Sequence, residues 1–206
     1  MCTQERTARL DAMRINPRDL PWKSIGDNVT VSCDLAAQLY DELVFISPKW
    51  WTNDTHKWAM PNGKPTKHCF IGLYTHKLAD PGPSLTGMGN RYPKLMKALR
   101  EVADLWDDRE FCYNSIEIIR DGTHTKHVET EQLPMALKVV ISQALIGGQM
   151  MYINGEGEER TLDLWRQLTL VDQSKPHWTR LWNVGGQALP DHKFQRDDAF
   201  GVLILP

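Results

Sequence analysis

The chain has 206 residues, a length that suits one domain with a core large enough to need no disulfide or metal staples. Its 24 Lys and Arg against 26 Asp and Glu give a net charge of −2, which excludes a histone-like, strongly basic binder. Charged residues make up 24% and hydrophobic residues 41% of the chain, a globular composition and not a disordered one. Apolar runs are short and the start is polar, so we expect neither a membrane span nor a signal peptide.

The four cysteines lie far apart and form no Cys-x-x-Cys motif: they are Cys2, Cys33, Cys69 and Cys112. This spacing predicts separate thiols in a reducing compartment. We therefore expect a cytoplasmic protein, or one from another reducing compartment.

The first part of the chain predicts helices. Residues 1–30 indicate a short helix and an irregular arm. Apolar residues at helical spacing predict a helix over 35–43, capped by Asp34 and ended by Pro48. A second helix is predicted to begin at Pro93, with this apolar stripe: Leu95, Leu99, Val102 and Trp106.

Between these helices, proline and glycine interrupt the chain. Residues 47–68 predict a loop or an irregular hairpin, 70–74 a short strand, and 79–91 another loop. Residues 49–67 combine four Lys with three Trp. Such a segment can form a substrate lid, a packed loop or a surface that stacks nucleobases, and the sequence leaves these alternatives open.

From residue 111 onward, short apolar runs alternate with turn signals: 113–119, 136–146, 149–153, 167–172, 178–184 and 199–205. This spacing is typical of a sandwich or small barrel. We therefore predict one α+β domain over 1–206, in which 1–110 holds helices and substrate-lid loops and 111–206 forms the β core.

A candidate metal site lies at His127-Val128-Glu129. On an extended strand, residues two apart point to the same side, so His127 and Glu129 would project together. His177 follows Pro176 at the start of a predicted strand and is the best third ligand. Two histidines and one carboxylate leave open positions on a metal, as in non-haem Fe(II) oxygenases.

Residues 111–206 resemble the double-stranded β-helix, or jelly roll, of the Fe(II)/2-oxoglutarate-dependent dioxygenases, including the AlkB-like and prolyl-hydroxylase-like branches. These segments carry the resemblance: the strand Tyr113–Ile119 with its turn Arg120–Gly122, His127-Val128-Glu129, the hairpin residues Gly147–Tyr152, Asp172-x4-His177, and Arg196 before the terminal strand Ala199–Leu205.

The resemblance implies that His127, Glu129 and His177 bind Fe(II), with 2-oxoglutarate as cosubstrate and O2 as oxidant. It also implies a basic residue past the second histidine that pairs with the far carboxylate of 2-oxoglutarate. Arg196 is our first choice, because strand alternation places Arg180 on the other face from His177. Asn114 is a further candidate for cofactor binding, and Thr125, Asn114 and Gln149 are candidates for orienting the imidazoles.

The sequence departs from the family pattern at two points, and one further histidine leaves the metal site open to a second interpretation. Glu129 replaces the usual Asp. Glu117 and Ile119 stand where AlkB-like members often place Asn-x-Tyr to help hold the cosubstrate. His124-x-x-His127 could bind metal on a helix, although Gly122 and the threonines argue against a helix there. A carboxylate ligand leaves no position for chloride, so we expect hydroxylation or oxidative demethylation and not halogenation.

The substrate stays open at the level of sequence. We favour a small metabolite or amino-acid-like molecule, followed by a modified nucleobase in nucleic acid. Two other classes remain as alternatives: a metal-free, Trp-rich β-sandwich that binds a glycan or a base, and a cupin-like metal isomerase. An isomerase would have no use for a cosubstrate anchor such as Arg196. The sequence does not indicate an oligomeric state.

Overall fold

A computed structural model describes residues 25–53, 66–74, 84–85, 87–106, 113, 115–120, 124–128, 135–142, 146–147, 149–180, 182–183 and 199–205. Three α-helices are described: α1 Cys33–Val44, α2 Met88–Arg91 and α3 Pro93–Ala103; a 3₁₀ helix spans Pro48–Trp50. The strands are β1 Asn28–Thr30, β2 Thr52–Asn53, β3 Lys67–Tyr74, β4 Ser84–Leu85, β5 Ser115–Arg120, β6 Met135–Ile141, β7 Ile146–Gly147, β8 Met150–Ile153, β9 Glu159–Leu162, β10 Gln167–Asp172, β11 His177–Thr179, β12 Trp182–Asn183 and β13 Phe200–Leu205.

Helix α1 confirms the predicted helix but not its predicted ends. The N-cap is Ser32, whose hydroxyl oxygen accepts a hydrogen bond from the backbone N–H of Leu35 over 3.2 Å. The predicted cap, Asp34, lies inside the first turn, where its carboxylate faces the positive end of the helix dipole. The helix ends at Val44, and Pro48 instead begins the short 3₁₀ helix.

Helix α3 begins at Pro93 as predicted, because proline at the first helical position gives up an N–H that would lack an intrahelical partner. Its predicted apolar stripe is buried, and Trp106 is buried just past the helix end. None of the helices in the described part of the chain has the length and hydrophobicity needed to cross a membrane.

The predicted loops contain more structure than expected. Residues 79–91 include β4 and helix α2, so the loop prediction is wrong there. Within 47–68, the structure describes a 3₁₀ helix, β2 and the start of β3, while 54–65 lie outside the described residues. Trp50 and Trp51 pack against the core, with ring contacts to Tyr92 and Phe200. For these two tryptophans, the packing favours the packed-loop alternative.

The larger sheet is antiparallel, with the described strands in the order β1-β10-β6-β13-β5-β3-β2 and β4 paired to β3. The predicted runs at 113–119, 136–146, 167–172 and 199–205 supply its centre, in β5, β6, β10 and β13. Strands β1, β2 and β3 precede residue 111, so the sheet is not confined to the second half of the chain. They extend it at both ends and so cover the outer edges of β10 and β5, which would otherwise expose unpaired backbone groups.

A smaller sheet pairs β11, β8 and β9 in that order, and β12 pairs with β7 beside it. Strand β9 was not predicted, because Glu159–Leu162 is polar and largely exposed and gives no hydrophobic run. It forms a hairpin with β8 across the turn at 154–157, where Gly157 adopts a positive φ of 84°.

The two faces of the larger sheet are covered differently. One face packs on helices α1 and α3 in a large cluster that includes Leu39, Leu99 and Leu137. The opposite face meets the smaller sheet in a second cluster formed by Ala136, Met150, Leu164, Val171 and Leu203. We call the space between the two sheets the interior of the jelly roll. The architecture confirms the predicted α+β class with a jelly-roll core.

Replacing Leu99 by Ala should lower the free energy of unfolding by about 2–5 kcal/mol, because this fully buried side chain joins α3 to the sheet. Phe45→Ala is the matched control, since Phe45 is 77% exposed and its loss should change the stability by less than about 0.5 kcal/mol. Urea denaturation followed by circular dichroism measures both. Equal effects of the two substitutions would contradict the assigned core.

Candidate active site

Two distant histidines are brought together by the backbone. The N–H of His127 donates to the carbonyl of His177, and the N–H of His177 donates to the carbonyl of His127, both over 2.9 Å. This is a hydrogen-bonded antiparallel pair, in which opposite side chains lie on the same face. The two imidazole centroids are 4.3 Å apart.

The face that carries these rings follows from the strand register. His177 pairs with Tyr152, which is two residues from Met150 on β8. Met150 belongs to the cluster between the sheets, and alternation gives Tyr152 and its partner His177 the same direction. His177 is 4% exposed. Both imidazoles therefore point into the interior of the jelly roll.

Each ring is oriented by the same backbone contact. Nδ1 of His127 lies 2.7 Å from the carbonyl oxygen of Thr125, and Nδ1 of His177 lies 2.8 Å from that of Lys175. A carbonyl oxygen can only accept, so Nδ1 carries the proton in each neutral ring and donates it. Nε2 is then the unprotonated nitrogen of each ring, and a carbonyl bound to Nδ1–H is the usual arrangement of histidines that bind metal through Nε2.

A third histidine lies beside this pair. His124 is buried, its ring centroid is 5.4 Å from that of His127, and its carbonyl accepts from the N–H of Thr179. Burial is the main cause that lowers its pKa to about 2, with further contributions from the charge of Lys138 and from the imidazoles of His127, His177 and His68 in their protonated form. His124 is therefore neutral at physiological pH. Residues 124–128 are not helical, so the helical His124-x-x-His127 metal site is not formed.

The remaining sequence-predicted residues fall into two groups. Glu129, Asn114 and Arg196 lie outside the described residues. Arg180 is described and exposed, and its backbone N–H donates to the carbonyl of Gln149. Thr125 orients an imidazole as expected for that residue, but through its backbone carbonyl and not its hydroxyl.

Within the described residues, no set of three His, Cys, Asp or Glu side chains is close enough to hold a metal ion. The donors that are described nevertheless suit Fe(II): two neutral imidazoles lie side by side, each with Nδ1 bound to a carbonyl and Nε2 unprotonated. His127 and His177 are two of the three predicted ligands, and the third, Glu129, lies outside the described residues.

Three polar residues of the interior were not predicted from the sequence. Lys138 and Glu117 both pair with Leu203, which belongs to the cluster between the sheets, so all three side chains share the inner face. His68, on β3, contacts Glu117 with Nδ1 and Oε1 3.1 Å apart. Only the register brings them together. One indication of a polar residue in the interior was present in the sequence: Glu117 stands at the position where AlkB-like members often have the Asn of Asn-x-Tyr.

Two solved structures align with most of this chain at low sequence identity. An oxidoreductase of the 2OG-Fe(II) oxygenase family from Burkholderia pseudomallei aligns with a TM-score of 0.56 and 11% identity, over 86% of this chain and 84% of that chain. A prolyl-4-hydroxylase from Pseudomonas putida aligns with a TM-score of 0.49 and 8% identity, over 88% of this chain and 92% of that chain. No protein-family model and no curated protein matches the chain. The chain thus has the fold of the 2OG-Fe(II) oxygenase from B. pseudomallei.

The contacts of His127 and His177 predict the Nδ1–H tautomer for both rings in the metal-free protein. Long-range ¹H–¹⁵N NMR in alkaline buffer should show Nδ1 protonated and Nε2 unprotonated in both rings. Selective assignment comes from His127→Gln and His177→Gln, each of which removes one set of signals. An Nε2–H tautomer at either position would contradict the orientation of that ring.

Proposed function

We propose that this protein is an Fe(II)/2-oxoglutarate-dependent dioxygenase that hydroxylates, or oxidatively demethylates, a small metabolite or amino-acid-like substrate. One observation carries the proposal: His127 and His177 lie side by side in the jelly-roll interior with Nε2 of each ring directed away from its backbone anchor. The shared fold with a 2OG-Fe(II) oxygenase supports it.

In this proposal, His127, His177 and Glu129 would hold Fe(II), and the chemistry supplied at that position would be the oxidation of a substrate C–H bond by O2, coupled to the decarboxylation of 2-oxoglutarate. Arg196 pairs with the far carboxylate of 2-oxoglutarate, since a guanidinium matches a carboxylate with two parallel hydrogen bonds. Asn114 is a further contact in the same pocket.

The residues of the chain itself have three tasks. The carbonyls of Thr125 and Lys175 fix the ring orientations, so little reorganisation is needed when a metal arrives. The paired backbone of 127 and 177 fixes the distance between the rings. The apolar cluster around Met150 and Leu203 keeps water from one side of the pocket, which limits unproductive reactions there.

The small-substrate choice is supported by where the aromatic residues lie. Trp50 and Trp51, which were candidates for stacking on nucleobases, pack instead against Tyr92 and Phe200. Rings used for packing in this way offer less surface to a base. A modified nucleobase remains the second substrate class, and the mild net negative charge gives it no general electrostatic support.

Succinate release should require both Fe(II) and 2-oxoglutarate. His127→Ala and His177→Ala should each lower it by more than about 100-fold, because loss of a ligand should exceed the 10–100-fold cost of losing a group that only orients one. Glu129→Ala should weaken metal binding in the same way, measured by the visible charge-transfer band that forms when Fe(II) and 2-oxoglutarate are added anaerobically.

His76→Ala is the control for these variants, because the sequence assigns His76 no ligand role. Turnover that survives the double substitution of His127 and His177 would overturn the metal site. A protein that binds neither Fe(II) nor 2-oxoglutarate would favour the metal-free binding module, and one that binds metal but ignores 2-oxoglutarate would favour the isomerase.

Arg196→Ala should raise the KM for 2-oxoglutarate by about tenfold or more, since it removes a charge-assisted contact to the cosubstrate. The matched substitution is Arg180→Ala, at an exposed arginine, which should leave this KM nearly unchanged. Steady-state kinetics with varied 2-oxoglutarate compares the two. A larger effect at Arg180 would transfer the anchoring role to that residue.

A further inference from the structure

The inner face of the larger sheet carries charge of both signs. Leu203 on β13 pairs with Lys138 of β6 on one side and with Glu117 of β5 on the other. Neighbouring strands lie about 4.8 Å apart, so the two charged side chains start roughly 10 Å from each other on the same face. Glu117 is buried, and burying a carboxylate is costly unless it has a hydrogen-bond or charge partner.

Glu117 is more than nine-tenths buried, with a residual exposure of 8%. One carboxylate oxygen, Oε1, is 3.1 Å from Nδ1 of His68, whose strand pairs with that of Glu117. Within the described part of the chain, the other oxygen, Oε2, makes no hydrogen bond, and it is not among the fully buried polar atoms. The carboxylate is thus held in place at one oxygen and available at the other.

The same face brings Glu117 close to the histidine site. Leu203, which pairs with Glu117, packs beside Met150 in the cluster between the sheets. Met150 lies two residues from Tyr152, the partner of His177 on β8. Glu117 therefore faces the interior from the wall opposite the strand that pairs with His177.

The sign of the charge decides what Glu117 can bind. A carboxylate repels the anionic 2-oxoglutarate, whose carboxylates are better matched by Lys138 or by the predicted Arg196. A cationic nitrogen, in contrast, would gain both a charge interaction and a hydrogen bond to Oε2 in a site of low solvent exposure. The strength of such a contact grows as water is excluded from the pocket.

We propose that Glu117, positioned by His68 on the inner face of the sheet, binds a cationic nitrogen of the substrate, an ammonium or a guanidinium group. The inference rests on the proposed function for the identity of the pocket as a substrate site, and it narrows the small-molecule class to cationic substrates. Glu117 then acts as a specificity residue: it selects the substrate and does not hold the metal.

The test compares ligands that differ in charge but hardly in shape. Isothermal titration calorimetry of the full chain, with and without anaerobic Fe(II) and 2-oxoglutarate, uses the pairs L-arginine and L-citrulline, and L-lysine and L-norleucine. We expect the cationic member of at least one pair to bind about tenfold tighter or more in the wild type, because hydrogen bonds to charged groups have this strength.

Glu117→Gln keeps the shape of the side chain and an oxygen for His68 but removes the charge. The ratio of the affinities for the cationic and the neutral ligand should therefore fall to near one. Glu117→Asp should keep part of it. Glu156→Gln, at an exposed acid in the turn between β8 and β9, is the matched control and should retain the full preference. Circular dichroism and the thermal midpoint establish that each variant is folded.

A wild type that binds neither member of either pair, or binds both members equally, would overturn the inference, as would a preference that persists in Glu117→Gln. These outcomes are separate from those for the proposed function. If cationic ligands are preferred through Glu117 but no succinate is released, the cation site is supported and the proposed oxygenase activity is contradicted. If succinate is released but cationic ligands are not preferred, the oxygenase activity is supported and the cation site is contradicted.

Discussion

The reciprocal backbone hydrogen bonds between His127 and His177 are the constraint on which the candidate site depends. They place two residues from distant stretches of the chain opposite each other, and alternation then directs both rings to one face. Each ring is further fixed by a carbonyl two residues earlier in the chain. A one-residue slip in the pairing of β11 with β8 would turn His177 to the outside of the smaller sheet and separate the pair.

The jelly roll supports this pairing by burying both faces of its larger sheet. The helices cover one face, and the hydrophobic cluster on that side supplies most of the core. The inner face is therefore free to carry polar residues, and it does so at Lys138, Glu117 and His68. Most of the buried apolar side chains lie on the helical side of the sheet, and the polar side chains lie on its inner side. Other folds likewise present functional groups on a rigid scaffold.

Strong local signals were read correctly from the sequence. The apolar stripe behind Pro93 identified α3, and the runs at 167–172 and 199–205 identified β10 and β13 almost to the residue. Weak local signals were not. The cap of α1 was placed at Asp34 and not at Ser32, because both residue types can cap and only the backbone shows which hydroxyl or carboxylate reaches an N–H. Strand β9 gave no apolar run because it is held by pairing and not by burial.

The sequence by itself determined the class of fold, the change from helices to short strands, and the candidacy of His127 and His177, since these follow from residue types and spacings along the chain. Glu129 and Arg196 remain predictions of that kind. The tertiary structure alone decided which residues share the interior: the contact of His124 with His127, the anchoring carbonyls of Thr125 and Lys175, and the pairing that sets Lys138 and Glu117 on either side of Leu203. The physical reason is that strand register pairs residues that are far apart in the chain, and a local sequence pattern does not determine which residues of two strands will be paired.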